Sequence, residues 1–239
     1  MGAGVSTLDC SQHTTREINS WLKQIARGVA QNAGDAQVVL LNPDSRHNIA
    51  VGLVTPLSIR IEGPVGYYCA GLCDGIDVHI AGGAGWGLAE NLMGGRVVLE
   101  GSAGSSCGAT MRGGTLMVKG SAGARCAAAM KGGLMVVEGD VGVMTGFMMQ
   151  KGVLVVGGDA GEALGDSLYE GKIYVRGAIE SLGSDAVQVD MTEEDAAMLA
   201  TVLADAGMDA APRDFKKIES GKRLYNFDTK EKEIWKNAL

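Results

Sequence analysis

Cys69, Cys107 and Cys126 are separated by multiples of nineteen residues. That spacing gathers them only if the chain itself repeats with that period. Thiolates brought together in this way could hold zinc or an iron–sulfur cluster, but such sites are built from CxxC pairs with further Cys or His. Leu88, Thr145 and Leu164 occupy the same phase of the repeat, and the mixture reads as core filling. Adjacent copies would bring Cys107 and Cys126 within disulfide reach. An odd total of five cysteines without a secretion signal instead fits free thiols in a reducing compartment.

The stretch GSAGSSCG at 101–108 invites a phosphate-loop reading. A P-loop needs GxxxxGK[ST] between a strand and a helix, and the dinucleotide fingerprint needs GxGxxG opening a helix; neither context is present. The three histidines, His13, His47 and His79, have no serine or cysteine in a nucleophile context, and no HExxH or paired carboxylate motif stands out. No catalytic, cofactor-binding or metal-ligating residue is therefore expected on this chain. A formal charge of −7 without a basic run argues against nucleic acid as a partner. No run approaches eighteen apolar residues, so a soluble, cytoplasmic protein is expected. MGAGVS at the start matches the loose myristoylation pattern, with no polybasic second anchor after it.

The element that must position every side chain is a repeat. Glycine recurs at Gly63, Gly82, Gly101, Gly120, Gly139, Gly158 and Gly177, a period of nineteen without one insertion. Gly66, Gly85, Gly104, Gly123, Gly142 and Gly161 form a second column, and Gly95, Gly114, Gly133, Gly152 and Gly171 a third. A short apolar strand precedes each glycine of the first column, running from IRI at 59–61 to IYV at 173–175. Nineteen residues are too few for a βαβ unit, which takes about thirty, but suit one coil of a β-helix with rungs about 4.8 Å apart. The fold expected is an all-β solenoid, a right-handed parallel β-helix of about seven coils flanked by N- and C-terminal helices. Glycine would supply its positive-φ corners. The boundaries are an N-terminal helical arm over 1–36, the β-helix over 37–182, and a C-terminal helix and extended arm over 183–239.

Within the coils, the columns Val65/Ala84/Ala103/Ala122/Val141/Ala160 and Cys73/Leu92/Met111/Met130/Met149/Leu168 read as inward. Period-two alternation sends the middle residue of each strand outward. Glu100, Lys119 and Glu138 stack with alternating sign on the outside. Val98, Met117, Val136 and Val155 make an outer apolar strip that must be covered, either by the protein's own arms or by another chain, and they are the candidate partner interface. Thr14 with Glu17 is a capping-box pattern for a first helix that Gly34 would stop, and Thr192 and Gly207 bound a second. The polar tail from Pro212 reads as an arm that wraps another surface.

The glycine pattern resembles the GXGXG β-helix domain at the C-terminus of the glutamate synthase large subunit, a domain also found within formylmethanofuran dehydrogenase. RHNIAVGL at 46–53, GWGLAEN at 85–91, ARCAAAMKGG at 124–133 and GDAGEALGDSLYEGKIYVRG at 158–177 are similar to the stand-alone β-helix subunits of N-methylglutamate synthase (methylamine–glutamate N-methyltransferase), with weaker support from LYNFD at 224–228. The resemblance implies a non-catalytic scaffold. Its partners would be a glutamine-amidotransferase-like subunit and an FMN (β/α)8-barrel subunit with an iron–sulfur cluster, and both cofactors would lie on that partner. Alternatives are the same role in a split glutamate synthase or a formylmethanofuran dehydrogenase, or an independent β-helix acting on carbohydrate, for which an acidic groove is missing.

Overall fold

In the computed structural model, which describes residues 5–32 and 36–224, one eleven-stranded sheet runs the length of the molecule. Seven strands are successive rungs of a parallel solenoid: β3 (Leu57–Glu62), β4 (Ile76–Ile80), β5 (Gly95–Leu99), β6 (Thr115–Val118), β7 (Lys131–Val137), β8 (Lys151–Val156) and β9 (Lys172–Val175). Strand residues pair with those nineteen later, as Ile59 with Val78 and Val78 with Val97, except at a bulge where Lys131 pairs with Lys151. The first and third residues of every strand triplet point into a continuous buried core, as alternation requires. Val65, Ala84, Ala103, Ala122, Val141 and Ala160 form a second line of parallel bridges on another side of the coil. The Cys73 and Cys69 columns fill the interior.

The ends close the solenoid. The N-terminal segment is more than a helix: β1 (Val5–Asp9) pairs in parallel with β2 (Gln37–Leu41), which pairs with β3. Between them α1 (Thr15–Asn32) buries Ile18, Leu22 and Ala26 against the core at the open end, covering rungs that would otherwise be wet. Its capping box is formed, with Glu17 N–H donating to Thr14 Oγ1 and Thr14 N–H to Glu17 Oε2. Gly34 and the first four residues, including the glycine of the myristoylation pattern, lie outside the described residues. At the other end β11 (Lys216–Ser220) inserts antiparallel between β9 and β10 (Ala186–Val189). The stretch read as a wrapping arm thus returns to its own body as far as Leu224, and Tyr225–Asp228 of the LYNFD motif lie outside the described residues. Between β10 and β11, α2 (Glu193–Ala206) starts at a Thr192/Asp195 capping box and ends at Gly207 with φ +70°.

Glycine's role differs from the expected one. Of the first column only Gly63 has positive φ. At Gly101 an added Cβ would stand 2.8 Å from the Gly82 carbonyl oxygen and 2.8 Å from the Gly83 nitrogen. The column is glycine because consecutive coils approach too closely for any side chain. The left-handed corners lie elsewhere, at Gly95, Gly114, Gly133 and Gly152, and on a run of every second residue that glycine mostly does not occupy.

Candidate functional site

The strip Val98, Met117, Val136 and Val155 does stand on the outer strand face, but the protein covers most of it itself. Met117, Val136, Val155 and Tyr174 are buried beneath Leu199, Val202, Leu203 and Ala206 of α2 and beneath Phe215, with Val98 half-buried at the edge. Of the two covers the sequence allowed, the structure shows the protein's own arm. Three of its four residues are thus already buried in the chain by itself. The helix is fixed at both ends. Lys119 Nζ donates to the carbonyl of Ala206 at its C-terminus while pairing with Glu138. At its start Asp195 Oδ1 accepts from Tyr174 Oη at 2.7 Å and Oδ2 from Lys217 Nζ at 2.7 Å. Burial works to raise the Asp195 carboxyl, yet the hydrogen bonds from Lys217, Tyr174 and Thr192 outweigh it and hold it far below the usual carboxylate range. Burial, reinforced by Asp195, pushes the Tyr174 phenol up, so it stays a neutral donor. Glu100 does not join Lys119; it pairs with His79 Nε2 at 2.7 Å.

A different side of the prism is uncovered. In each coil three alternate residues adopt left-handed φ, as Tyr68 (+59°), Ala70 (+55°) and Leu72 (+57°) do, and equivalents recur through Ala163, Gly165 and Ser167. Such a conformation costs a non-glycine residue roughly 1–2 kcal/mol. It persists because the outer two amides donate forward to the next coil, as Tyr68 to Trp86 and Leu72 to Glu90. The middle amide donates backward, as Ala89 to Cys69. The middle position is sealed inside and held by Ala or Gly, whereas the outer two are, except at buried Gly87, more accessible and carry residues as different as Tyr68, Ser106, Arg125 and Met148.

This left-handed face is where exposed apolar side chains gather. Tyr67, Tyr68, Leu72, Trp86 (56% exposed) and Val143 (43%) stand on it, followed by half-buried Met144, Phe147 and Met148. Between Asn91 and Met148 its outward columns carry one charge, Arg125. At its N-terminal end three rings stack up the rungs. His47 lies on Tyr67 with centroids 4.3 Å apart, and Tyr67 on Trp86 at 5.3 Å, with planes 17° and 13° from parallel. The ladder is locked by the Tyr67 N–H, which donates to His47 Nδ1 at 2.8 Å. Five rung intervals from Tyr67 to Glu162 make the face about 24 Å long, close to the ~28 Å side of a standard 800 Å² interface patch. Aromatic anchors on a low-charge surface are the composition of interface hot spots. The sequence signal was the outward columns four, five and nine residues after the first glycine. It lies between the strand triplets, where no period-two alternation marks which side chains face outward.

The groups first considered for chemistry are occupied or sealed. All five cysteines are free and buried. Desolvation pushes the Cys69 and Cys107 thiols well up and Cys126 to about 12, the reverse of what a thiolate ligand needs. Cys107 and Cys126 are one coil apart, with Cys69 two coils before Cys107. Among the described residues no group of three His, Cys, Asp or Glu is placed to hold a metal ion, and no helix is long and apolar enough to cross a membrane. An open depression of about 440 Å³ beside the start of α2 mixes Lys151 and Lys172 with Glu170, Glu194 and Asp195; Asp195 is already committed to α2.

No protein-family model matches the chain. Among curated proteins it is 46% identical over 222 residues to "Protein GlxC" of Rhizobium meliloti (strain 1021), an alignment that spans 92% of this chain and 96% of that protein. At that identity and near-complete mutual coverage the chain belongs to the family of protein GlxC.

Proposed function

We propose that this chain is the non-catalytic β-helix scaffold subunit of a glutamate-synthase-type complex, and specifically of N-methyl-L-glutamate synthase, which forms N-methylglutamate and ammonia from methylamine and glutamate. The observation that carries the reading is the exposed left-handed face with its His47/Tyr67/Trp86 ladder, on a protein whose interior thiols and buried charges are already sealed or paired. Kinship to protein GlxC and the glycine pattern's likeness to the GXGXG domain agree with it. In this role the face docks a glutamine-amidotransferase-like subunit or an FMN-barrel subunit. In this reading FMN and an iron–sulfur cluster are carried by the barrel subunit; the buried cysteines of this chain, with their thiols pushed up by desolvation, are not disposed to ligate a cluster.

The test is affinity purification of the tagged full chain from native cells. The expected result is both partner subunits, methylamine-dependent formation of N-methylglutamate by the assembly, and none by the isolated chain. Trp86→Asp and Val143→Asp should release a partner while the melting temperature holds. Turnover by the chain alone, or recovery of neither partner, sinks the proposal; a molybdenum or tungsten protein in their place moves the chain to a formylmethanofuran dehydrogenase.

A further inference from the structure

The edge where the left-handed face turns into the strand face carries one sign of charge. In four successive coils it reads MGGR at 93–96, RGGT at 112–115, KGGL at 131–134 and QKGV at 150–153, which hold Arg96, Arg112, Lys131 and Lys151 and no acidic residue. Arg112 precedes Lys131 by one coil, and Lys131 pairs with Lys151 across β7 and β8. Like charges stacked in this way repel. Elsewhere on the strand face the protein pairs its outer charges, as Arg60 with Glu62, His79 with Glu100 and Lys119 with Glu138. On this edge Lys131 Nζ donates to the Ala129 carbonyl and Arg96 Nη2 lies on the Met117 sulfur, while Arg112 and Lys151 are exposed and have no ion pair among the described residues. A chain of net charge −7 thus keeps an unpaired row of cations beside its exposed apolar face.

Taking the chain as the scaffold subunit proposed for it, we infer that this row receives the acidic stripe of a helix on the docked partner. That helix lies along the solenoid axis with its apolar side on Val143, Met144, Phe147 and Met148, which are exposed or half-buried. Charge complementarity selects the acidic stripe. Spacing selects the helix. Arg112 to Lys151 spans two rungs, about 9.6 Å, and carboxylates at i, i+3 and i+7 of a helix span about 10.5 Å. An extended segment returns to the same side only every ~6.7 Å and falls out of step with rungs about 4.8 Å apart. The solenoid already accepts a helix in this orientation. α2 runs from Asp195, beside Tyr174 on β9, to Ala206, beside Lys119 three rungs earlier, with its apolar side on the strand face.

The test treats the assembly recovered with the tagged full chain with a water-soluble carbodiimide, which joins lysine amines to carboxylates without a spacer, and maps the products by peptide mass spectrometry. The expected products join Lys131 and Lys151 to Asp or Glu residues three or four apart in one helical segment of a partner. Arg112→Glu with Lys151→Glu should leave the melting temperature of the free chain unchanged and lower partner recovery about fivefold. Reversing the mapped partner carboxylates to Lys should restore it. No product with a partner, partner carboxylates two residues apart or scattered over loops, or recovery unchanged by the charge reversals would each overturn the inference and leave the scaffold role standing; recovery of no partner overturns both.

Discussion

Lys217 Nζ lies 2.7 Å from Asp195 Oδ2, with the two side chains 6% and 2% exposed, and the contact joins β11 to the first turn of α2. Tyr174 and Lys172 from β9 and the Thr192 cap complete the shell around the carboxylate. Lys217→Met removes the most buried cation of this shell while Lys172, Tyr174 and Thr192 still hold the carboxylate, so it should cost about 1–3 kcal/mol, read as a lower urea midpoint. Replacing both charges, with Asp195→Asn added, should recover part of that loss.

The same pair fixes the acid limit of stability. The folded Asp195 carboxyl is depressed below its unfolded value of about 3.9. Its contribution is therefore complete above that pH and is lost as pH falls through the depressed folded value. Melting temperature should drop on acidification below about pH 4, and Asp195→Asn should drop less, from a lower start. Asp166, depressed by the Ser184 backbone N–H, adds to the same limb. Lys217, raised by Asp195 and Glu219 against the opposing effect of burial, contributes below its unfolded value and loses its contribution as pH rises beyond the folded one.

Gly101→Ala forces a methyl into the Gly82–Gly83 backbone one coil below. The rigid neighbours cannot step aside, and a loss of a few kcal/mol, about 2 or more, is expected from this overpacking. Gly28→Ala, in a helix with nothing within 4 Å of the new methyl, should be neutral or stabilising by up to about 1 kcal/mol. Differential scanning calorimetry separates the two; equal effects would show that coil spacing does not demand the glycine.

Leu203 packs on the Met117/Val136/Val155 strip. Leu203→Ala should destabilise by about 2–5 kcal/mol and raise binding of an environment-sensitive dye as α2 loosens. Trp86→Ala removes an exposed ring and should leave the free energy of unfolding within about 0.5 kcal/mol.

All five thiols should resist a disulfide reagent in the native state and react together on denaturation, because burial raises them and excludes the reagent. One thiol reacting stoichiometrically in native buffer would contradict the sealed interior.

The features legible in the residues alone are those that repetition determines. The nineteen-residue period, the seven strand triplets, the inward columns and the caps at Thr14, Thr192 and Gly207 follow from local patterning, and the structure places each as read. Three things were settled only in three dimensions. The reason for Gly101 and its column is a close approach between coils, a distance no single coil contains. The left-handed conformation of Tyr68, Ser106 and Arg125 contradicts their own preference and is held by hydrogen bonds to the neighbouring coil. Cover for Met117 and Val155 comes from α2, whose packing onto β6–β9 depends on contacts nearly ninety residues apart, such as that of Lys119 with Ala206. Local propensity fixes the period of a solenoid, but which of its faces stays open depends on where the rest of the chain comes to lie.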